Sequence, residues 1–265
     1  MYKKRQDKAV RTILTTLKGL VLRERSLGDN DKFLDILTDS NGLIEVLARG
    51  VKKQNAKNAS VSQIFCYASY CVSENSGRYT LNSAEPIRTF YNVSEELERF
   101  ALASYFADMT AFVSTQEAPN NEVLRLTLNS LHFLSVKNRG LTSLKSIFEF
   151  RLLAEIGLIP NLIGCCECMR YSAPQMQFDL RGGRLFCERC FGTREFKDVE
   201  VVDMRLLHYL RYIALTDMQK LFNLNILREY LVPLSNITER YAEIQLDRHF
   251  ATLDFYKSLT NGQTI

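Results

Sequence analysis

The spacing of apolar and polar residues changes character about a third of the way along the chain. Up to residue 88 the runs are short and alternate with a period of two, the mark of half-buried strands. GLVLRERS (19–26) and KFLDILT (32–38) are strand candidates. Asp39-Ser40-Asn41-Gly42 is a turn signal ahead of LIEVLARGV (43–51), so these two runs should form a hairpin. Polar, lysine-rich KKQNAKNAS (52–60) makes the next loop. In SQIFCYASYCVSE (62–74), Ile64, Cys66, Ala68, Tyr70 and Val72 share one face and Phe65, Tyr67, Ser69 and Cys71 the other. Asn75-Ser76-Gly77 turns the chain into RYTLNSAEP (78–86). Several short strands with no helix long enough for a βαβ unit predict a small closed barrel, an OB-fold.

Beyond residue 90 the period lengthens to that of a helix. Ser94 is a candidate N-cap, with Glu95 and Glu96 placed to oppose the helix dipole. Leu97, Phe100, Ala101, Ser104, Tyr105 and Phe112 predict one apolar face. Asn120 and Asn121 cap a second helix through LRLTLNSLHFLSV, and LTSLKSIFEFRLLAEIG (141–157) is a third, stopped by Gly157 with Pro160 beyond. VVDMRLLHYLRYIAL (201–215) and SNITERYAEIQLDRHFATLDFYKSL (235–259) predict further helices. The expected architecture is α+β and multi-domain. A basic leader over 1–16, without clear periodicity, is a candidate flexible arm. An OB-fold domain follows over 17–88, then a helical domain over 89–160 and 196–265, interrupted by a cysteine-rich insertion over 161–195.

Composition adds the solvent and the charge. A chain of 265 residues with 46% hydrophobic and 24% charged residues is an ordinary globular protein, and no apolar run is long enough to span a bilayer. The N-terminal MYKKRQDKAVRTILTTLKG is basic but lacks an apolar signal core, so a cytoplasmic protein without a membrane partner is expected. The net charge of +4 is uneven: residues 1–82 carry 14 basic and 8 acidic side chains, the remainder 20 and 22. The positive field belongs to the first third of the chain. Arg23, Arg25, Lys32, Arg49, Lys52, Lys53, Lys57 and Arg78 come from its strands and loops and are candidate contacts to nucleic-acid phosphates. A solvated surface is the plainer alternative. Phe65, Tyr67 and Tyr79 are candidates for base stacking, with packing the competing role for Phe65 and Tyr67.

Five of the seven cysteines fall within CCECMRYSAPQMQFDLRGGRLFCERC (165–190). Cys165, Cys168, Cys187 and Cys190 fit C-x2-C-x18-C-x2-C, the spacing of a four-thiolate zinc site. Arg181-Gly182-Gly183-Arg184 is the turn of a hairpin that brings the second knuckle to the first. Cys166 is surplus, because Cys166-x-Cys168 would break the two-residue spacing. Four thiolates close the shell, so one structural Zn2+ per chain is expected. A deaminase-like site would need a histidine followed by x-Glu. His132, His208 and His249 offer none. Phosphate-binding P-loop, dinucleotide and nucleophile-elbow motifs are also missing, which favours a binding protein over an enzyme.

These pieces, in this order, resemble the bacterial RecO family. GLVLRERSLGDNDKFLDILTDSNGLIEVLARGVKK (19–53) is similar to the family's opening strands, with Gly28-Asp29-Asn30-Asp31 where members often have Gly-Glu-x-Asp. FEFRLLAEIGLIPNLIGCCEC (148–168) is similar to its second signature, and that alignment places Cys165 as first ligand. The resemblance implies an OB domain, a helical domain and a zinc element. It implies binding of single- and double-stranded DNA, annealing of complementary strands, and work with RecR, often with RecF, to load RecA onto DNA coated by single-stranded-DNA-binding protein. The acidic C-terminal tail of that coating protein is a further implied partner, and the nucleoid the implied location. The family's basic barrel residues map to Arg49, Lys52 and Lys53. Two rivals stand beside this reading: a zinc-ribbon adaptor that touches only proteins, and a nucleic-acid enzyme.

Overall fold

The computed structural model describes residues 13–116, 118–192 and 196–260. The chain divides into two compact units: residues up to Tyr91 with Ala111–Leu124, and Asn92–Thr110 with Arg125 onward.

In the first unit, five strands close into a barrel among the described residues: β1 (Ile13–Leu27), β2 (Asp31–Thr38), β3 (Gly42–Ala48), β4 (Cys66–Asn75) and β5 (Arg78–Thr89). Their order is β1-β2-β3-β5-β4, with β4 pairing back onto β1. Every pairing is antiparallel except β3 with β5, which run parallel through Val46–Tyr79 and Leu47–Thr80. This is the OB-fold that the alternating pattern predicts. Val21, Leu34, Ile36, Ile44, Val46, Ala68 and Val72 fill the interior, all at most 2% exposed. Tyr70 joins them and donates its hydroxyl proton to the Val61 carbonyl at 2.9 Å. Without that bond, a buried hydroxyl would cost about 1–3 kcal/mol.

The Asp39–Gly42 turn forms as expected, with a second constraint behind it. Gly42 has a φ of 66°, and the Leu43 amide donates to the Thr115 carbonyl at 3.1 Å. A Cβ at Gly42 would run into that carbonyl oxygen, so both conformation and close approach require glycine here.

The barrel differs from expectation in two places. β1 starts at Ile13, ahead of Gly19, so residues 13–16 of the expected leader belong to a strand. Residues 1–12 lie outside the described residues. β4 starts only at Cys66, because Phe65 takes a φ of 63° and breaks the strand, leaving Ile64 off the shared face.

The helices are α1 (Leu97–Val113), α2 (Asn121–Ser135), α3 (Leu141–Glu155), the single turn α4 (Glu188–Phe191), α5 (Met204–Leu215), the single turn α6 (Met218–Leu221), α7 (Arg228–Leu246) and α8 (Ala251–Thr260). In the second unit α3 is central, with residues 143–150 all buried. It ends as the sequence predicts, since the Leu158 amide donates to the Leu153 carbonyl at 2.8 Å and the Gly157 amide to that of Ala154 at 3.2 Å. Asn120 caps α2 through its side-chain oxygen, which accepts from the Glu122 and Val123 amides at 3.1 Å.

Ser94 does not cap α1. It lies in a 3-10 turn, Tyr91–Glu95, and the first helical bond runs from the Phe100 amide to the Glu96 carbonyl. Nor does α1 show a single apolar face: Leu102, Ala103 and Phe106 are buried, while Leu97 and Phe112 are exposed. The expected helix over 235–259 is two, because Asp247 adopts a left-handed φ of 46° after α7.

The cysteine-bearing element is a four-stranded sheet packed in this second unit: β6 (Asn161–Cys165), β7 (Gln175–Asp179), β8 (Arg184–Cys187) and β9 (Val199–Asp203), in the order β6-β8-β7-β9. β9 corrects the expected helix over 201–215. Val199, Val201 and Val202 pair with β7, and α5 starts only after Asp203, whose carboxylate accepts the Leu206 amide at 2.8 Å. The element therefore extends past residue 195. Met176, Phe178, Leu185 and Val202 are completely buried, and the Phe178 and Tyr241 rings lie 5.5 Å apart.

Candidate functional site

Two local structures converge on the cysteines. At the first knuckle the Met169 amide donates to the Cys165 carbonyl, and the Cys165 amide to the Arg170 carbonyl, both at 2.9 Å. Gly164 makes that loop possible, since a Cβ there would sit 2.8 Å from the Arg170 oxygen. At the second, β8 delivers Cys187 and the single turn α4 carries Cys190. The hairpin forms as the glycine pair predicts: β7 and β8 pair from Met176–Cys187 to Asp179–Arg184. The Asp179 carboxylate locks its turn by accepting from the Gly182 amide at 3.0 Å and from Arg184 Nη2 at 3.1 Å.

As a result the four sulfurs of Cys165, Cys168, Cys187 and Cys190 all lie within 4.8 Å of one another. Cys168 Sγ and Cys187 Sγ are 3.7 Å apart. Four thiolates around one ion at about 2.3 Å would be separated by about 3.8 Å, so the residues fit a tetrahedral metal. None of the seven cysteines forms a disulfide. Burial pushes the Cys165 thiol up, but backbone amides of Cys168, Cys187 and Glu167 outweigh it and bring it down to about 6. The Arg170 amide lowers Cys168 in the same way. Amide donors thus favour the thiolate, the ligating form, at Cys165 and Cys168, whereas hydrogen bonds with the sulfurs of Cys168 and Cys187 push Cys190 up to about 12. Cys166 stands outside the group, as do all three histidines.

The basic residues of the barrel sort into two kinds. Arg25 is paired across strands with Asp35 at 3.0 Å and with Glu45, and Lys32 with Glu24 at 2.9 Å. Their charge is largely neutralised in place. Arg49, Lys53, Lys57 and Arg78 are exposed and make no side-chain ion pair among the described residues. Arg49 and Arg78 line one groove of about 870 Å3 on the β2–β3–β5 face, beside the 75–77 turn. Arg49 and Lys53 line a second, shallower depression against the 28–31 turn. Lys52 turns its ammonium onto the Gly28 carbonyl at 3.1 Å and Ser26 Oγ at 3.4 Å. Arg23 is half-buried on β1, and Lys57 borders neither depression.

The aromatic candidates fare differently. Phe65 and Tyr79 are 2% and 6% exposed, so their ring faces are not open for stacking, and Tyr67 is half-buried. Two rings line the open groove, Tyr79 at its buried wall and the more exposed Phe33, which the sequence alone did not single out. Its signal was present: in KFLDILT, Leu34 and Ile36 point inward, so Phe33 and Asp35 must face outward. The Arg25 guanidinium lies 5.9 Å from its ring centre.

An OB barrel with a groove lined by Arg49 and Arg78, followed by a helical unit bearing a four-cysteine sheet, defines a multi-domain α+β class of protein. The family model for the "Recombination protein O N terminal" domain matches residues 13–90, starting where β1 starts, and that for "Recombination protein O C terminal" matches residues 94–254. Proteins named DNA repair protein RecO are similar over most of their length. The one from Bacillus subtilis is 30% identical over 87% of this chain and 89% of its own. Those from Acetivibrio thermocellus and Alkaliphilus metalliredigens are each 28% identical, over 91% and 93% of this chain and 95% and 100% of their own. The chain belongs to the RecO family of DNA repair proteins. None of its described helices is long and apolar enough to cross a membrane.

Proposed function

We propose that this protein is a recombination mediator that binds single- and double-stranded DNA on the β2–β3 face of its barrel and anneals complementary strands. With RecR, and with RecF, it helps load RecA onto DNA coated by single-stranded-DNA-binding protein, whose C-terminal tail it contacts. It works at the nucleoid in the bacterial cytoplasm. The observation that carries the reading is the placement of Arg49, Arg78 and Phe33 around one groove, in a member of a DNA repair family. OB barrels bind oligonucleotides on this face and its flanking loops. Arginines there offer phosphate contacts, and an outward phenylalanine offers a stacking platform for any base.

Annealing on such a surface requires no bond-making group. Two polyanionic strands repel, and cations that displace their condensed counterions lower that barrier while raising local strand concentration. Base pairing supplies the rest. Arg49, Lys53 and Arg78 lead this work, with Lys52 and Lys57 adding to the field. Arg23, Arg25 and Lys32 contribute less, since acids already hold Arg25 and Lys32. Zinc is the metal proposed for Cys165, Cys168, Cys187 and Cys190. When bound, it ties the first knuckle to α4 and leaves no open coordination position for chemistry.

The test is a strand-annealing assay with complementary oligonucleotides pre-coated with the cognate single-stranded-DNA-binding protein. Acceleration over the uncatalysed rate is the expected result. No binding to bare DNA even at low salt would overturn the reading and favour an adaptor that touches only proteins.

A further inference from the structure

The basic segment that follows β3 is held from below by an acidic turn. Asp31 Oδ1 accepts the Gly50 amide at 2.7 Å, and the Asn30 carbonyl accepts the Lys52 amide at 3.0 Å. The Lys52 ammonium closes the clamp on the Gly28 carbonyl at 3.1 Å. These bonds lie between Arg49 and Lys53 in the chain, the two cations lining the depression against this turn. We infer that Asp31 is a positioning residue, whose carboxylate presets Arg49 and Lys53 for phosphate contact although its own charge repels the ligand. The inference rests on the DNA-binding reading above and deepens it.

Two effects compete at Asp31. Its negative charge opposes a polyanion, so simple electrostatics makes its removal favourable. Its acceptor oxygen fixes the Gly50 amide, and a hydrogen bond of this kind stabilises one conformation by about 0.5–1.5 kcal/mol. Losing it lets the segment 49–53 leave the binding-competent arrangement, and apparent affinity falls by the competent fraction. Neighbouring Asp29 separates the two effects. It lies in the same turn and makes no hydrogen bond or ion pair among the described residues, so its removal changes charge alone.

The experiment measures Kd for a labelled oligothymidylate by fluorescence anisotropy, using the full chain, for Asp31→Ala, Asp31→Asn, Asp29→Asn, Arg49→Ala and Lys53→Ala. Asparagine keeps the acceptor and drops the charge, so Asp31→Asn should match Asp29→Asn, both binding as tightly as the unmodified protein or tighter. Asp31→Ala should bind about two- to five-fold more weakly than Asp31→Asn. Equal Kd values for Asp31→Ala and Asp31→Asn, with Arg49→Ala and Lys53→Ala weakened, would overturn the positioning role and leave the DNA reading intact. Unchanged binding by Arg49→Ala and Lys53→Ala would instead defeat the reading on which it rests. Thermal melts of each variant keep a folding defect from passing as a binding one, and Asp31→Asn supplies the rescue.

Discussion

Lys145 and Glu149, one turn apart on α3, form a 3.0 Å ion pair with Lys145 only 3% exposed and Glu149 wholly buried. The pair is extended rather than isolated. Lys145 also reaches Glu239 at 2.8 Å, and Glu149 accepts from the Tyr105 hydroxyl at 2.9 Å and Thr238 Oγ1 at 2.8 Å. Burial pushes the Lys145 ammonium down, but the carboxylates of Glu149 and Glu239 outweigh it and hold it protonated. This network joins α1, α3 and α7 within the second unit.

Removing the cation from that network should be severe. Lys145→Met leaves two carboxylates without their shared partner and is expected to lower unfolding stability by about 3–5 kcal/mol. The double variant Lys145→Met/Glu149→Leu should be less destabilised than the sum of its singles, because it removes both partners together. Urea denaturation gives both values, and a single variant within about 1 kcal/mol of the unmodified protein would show that the network carries no such coupling.

The cysteine element yields a second prediction. Metal analysis should find one zinc per chain, retained in Cys166→Ser and lost in Cys165→Ser. Because Met176, Phe178, Leu185 and Val202 give the sheet its own buried side chains, loss of metal should loosen the knuckles rather than melt the whole sheet. Hydrogen exchange should rise over residues 165–170 and 187–192 while the β7–β9 amides stay protected. Four metal-free thiols in the native preparation would contradict the assignment.

His249 predicts a pH dependence. Its Nε2 lies 2.6 Å from Asp254 and its Nδ1 3.3 Å from Glu243, and the hydrogen bond to Asp254, followed by that carboxylate's charge, raises the imidazole. A group raised in the folded state stabilises it below its ordinary value near 6.5, and that contribution disappears as pH climbs through the raised one. His249→Gln should therefore lower Tm at about pH 6 and have no effect at about pH 9. Equal loss at both would assign His249 a role independent of its charge.

How far these features can be read from the sequence depends on how local they are. The barrel is legible because its strands keep one wet and one dry face, so alternation survives in KFLDILT and CYASYCV. The metal knuckles are legible for the same reason, since spacing and a glycine turn determine them within 26 residues. β9 is hidden because Asp203 ends the strand and caps α5 at once, with no intervening turn to mark the boundary. α1 is misread because burial on several sides blurs its period. The pairing of Arg25 with Asp35 and Glu45 depends on the register of three strands, which charge counts along the chain cannot supply. Only the paired strands show which cations remain available.

If the barrel's open cations bind DNA through its phosphates, salt must weaken binding in proportion to the contacts made. The direct test is the salt dependence of single-stranded DNA affinity for the unmodified protein, Arg49→Ala and Arg78→Ala, each with two unrelated sequences. Each substitution should weaken binding uniformly across sequences and reduce the slope of log K against log salt by about 0.7 for each lost contact. Affinities and slopes that superimpose on those of the unmodified protein would contradict it.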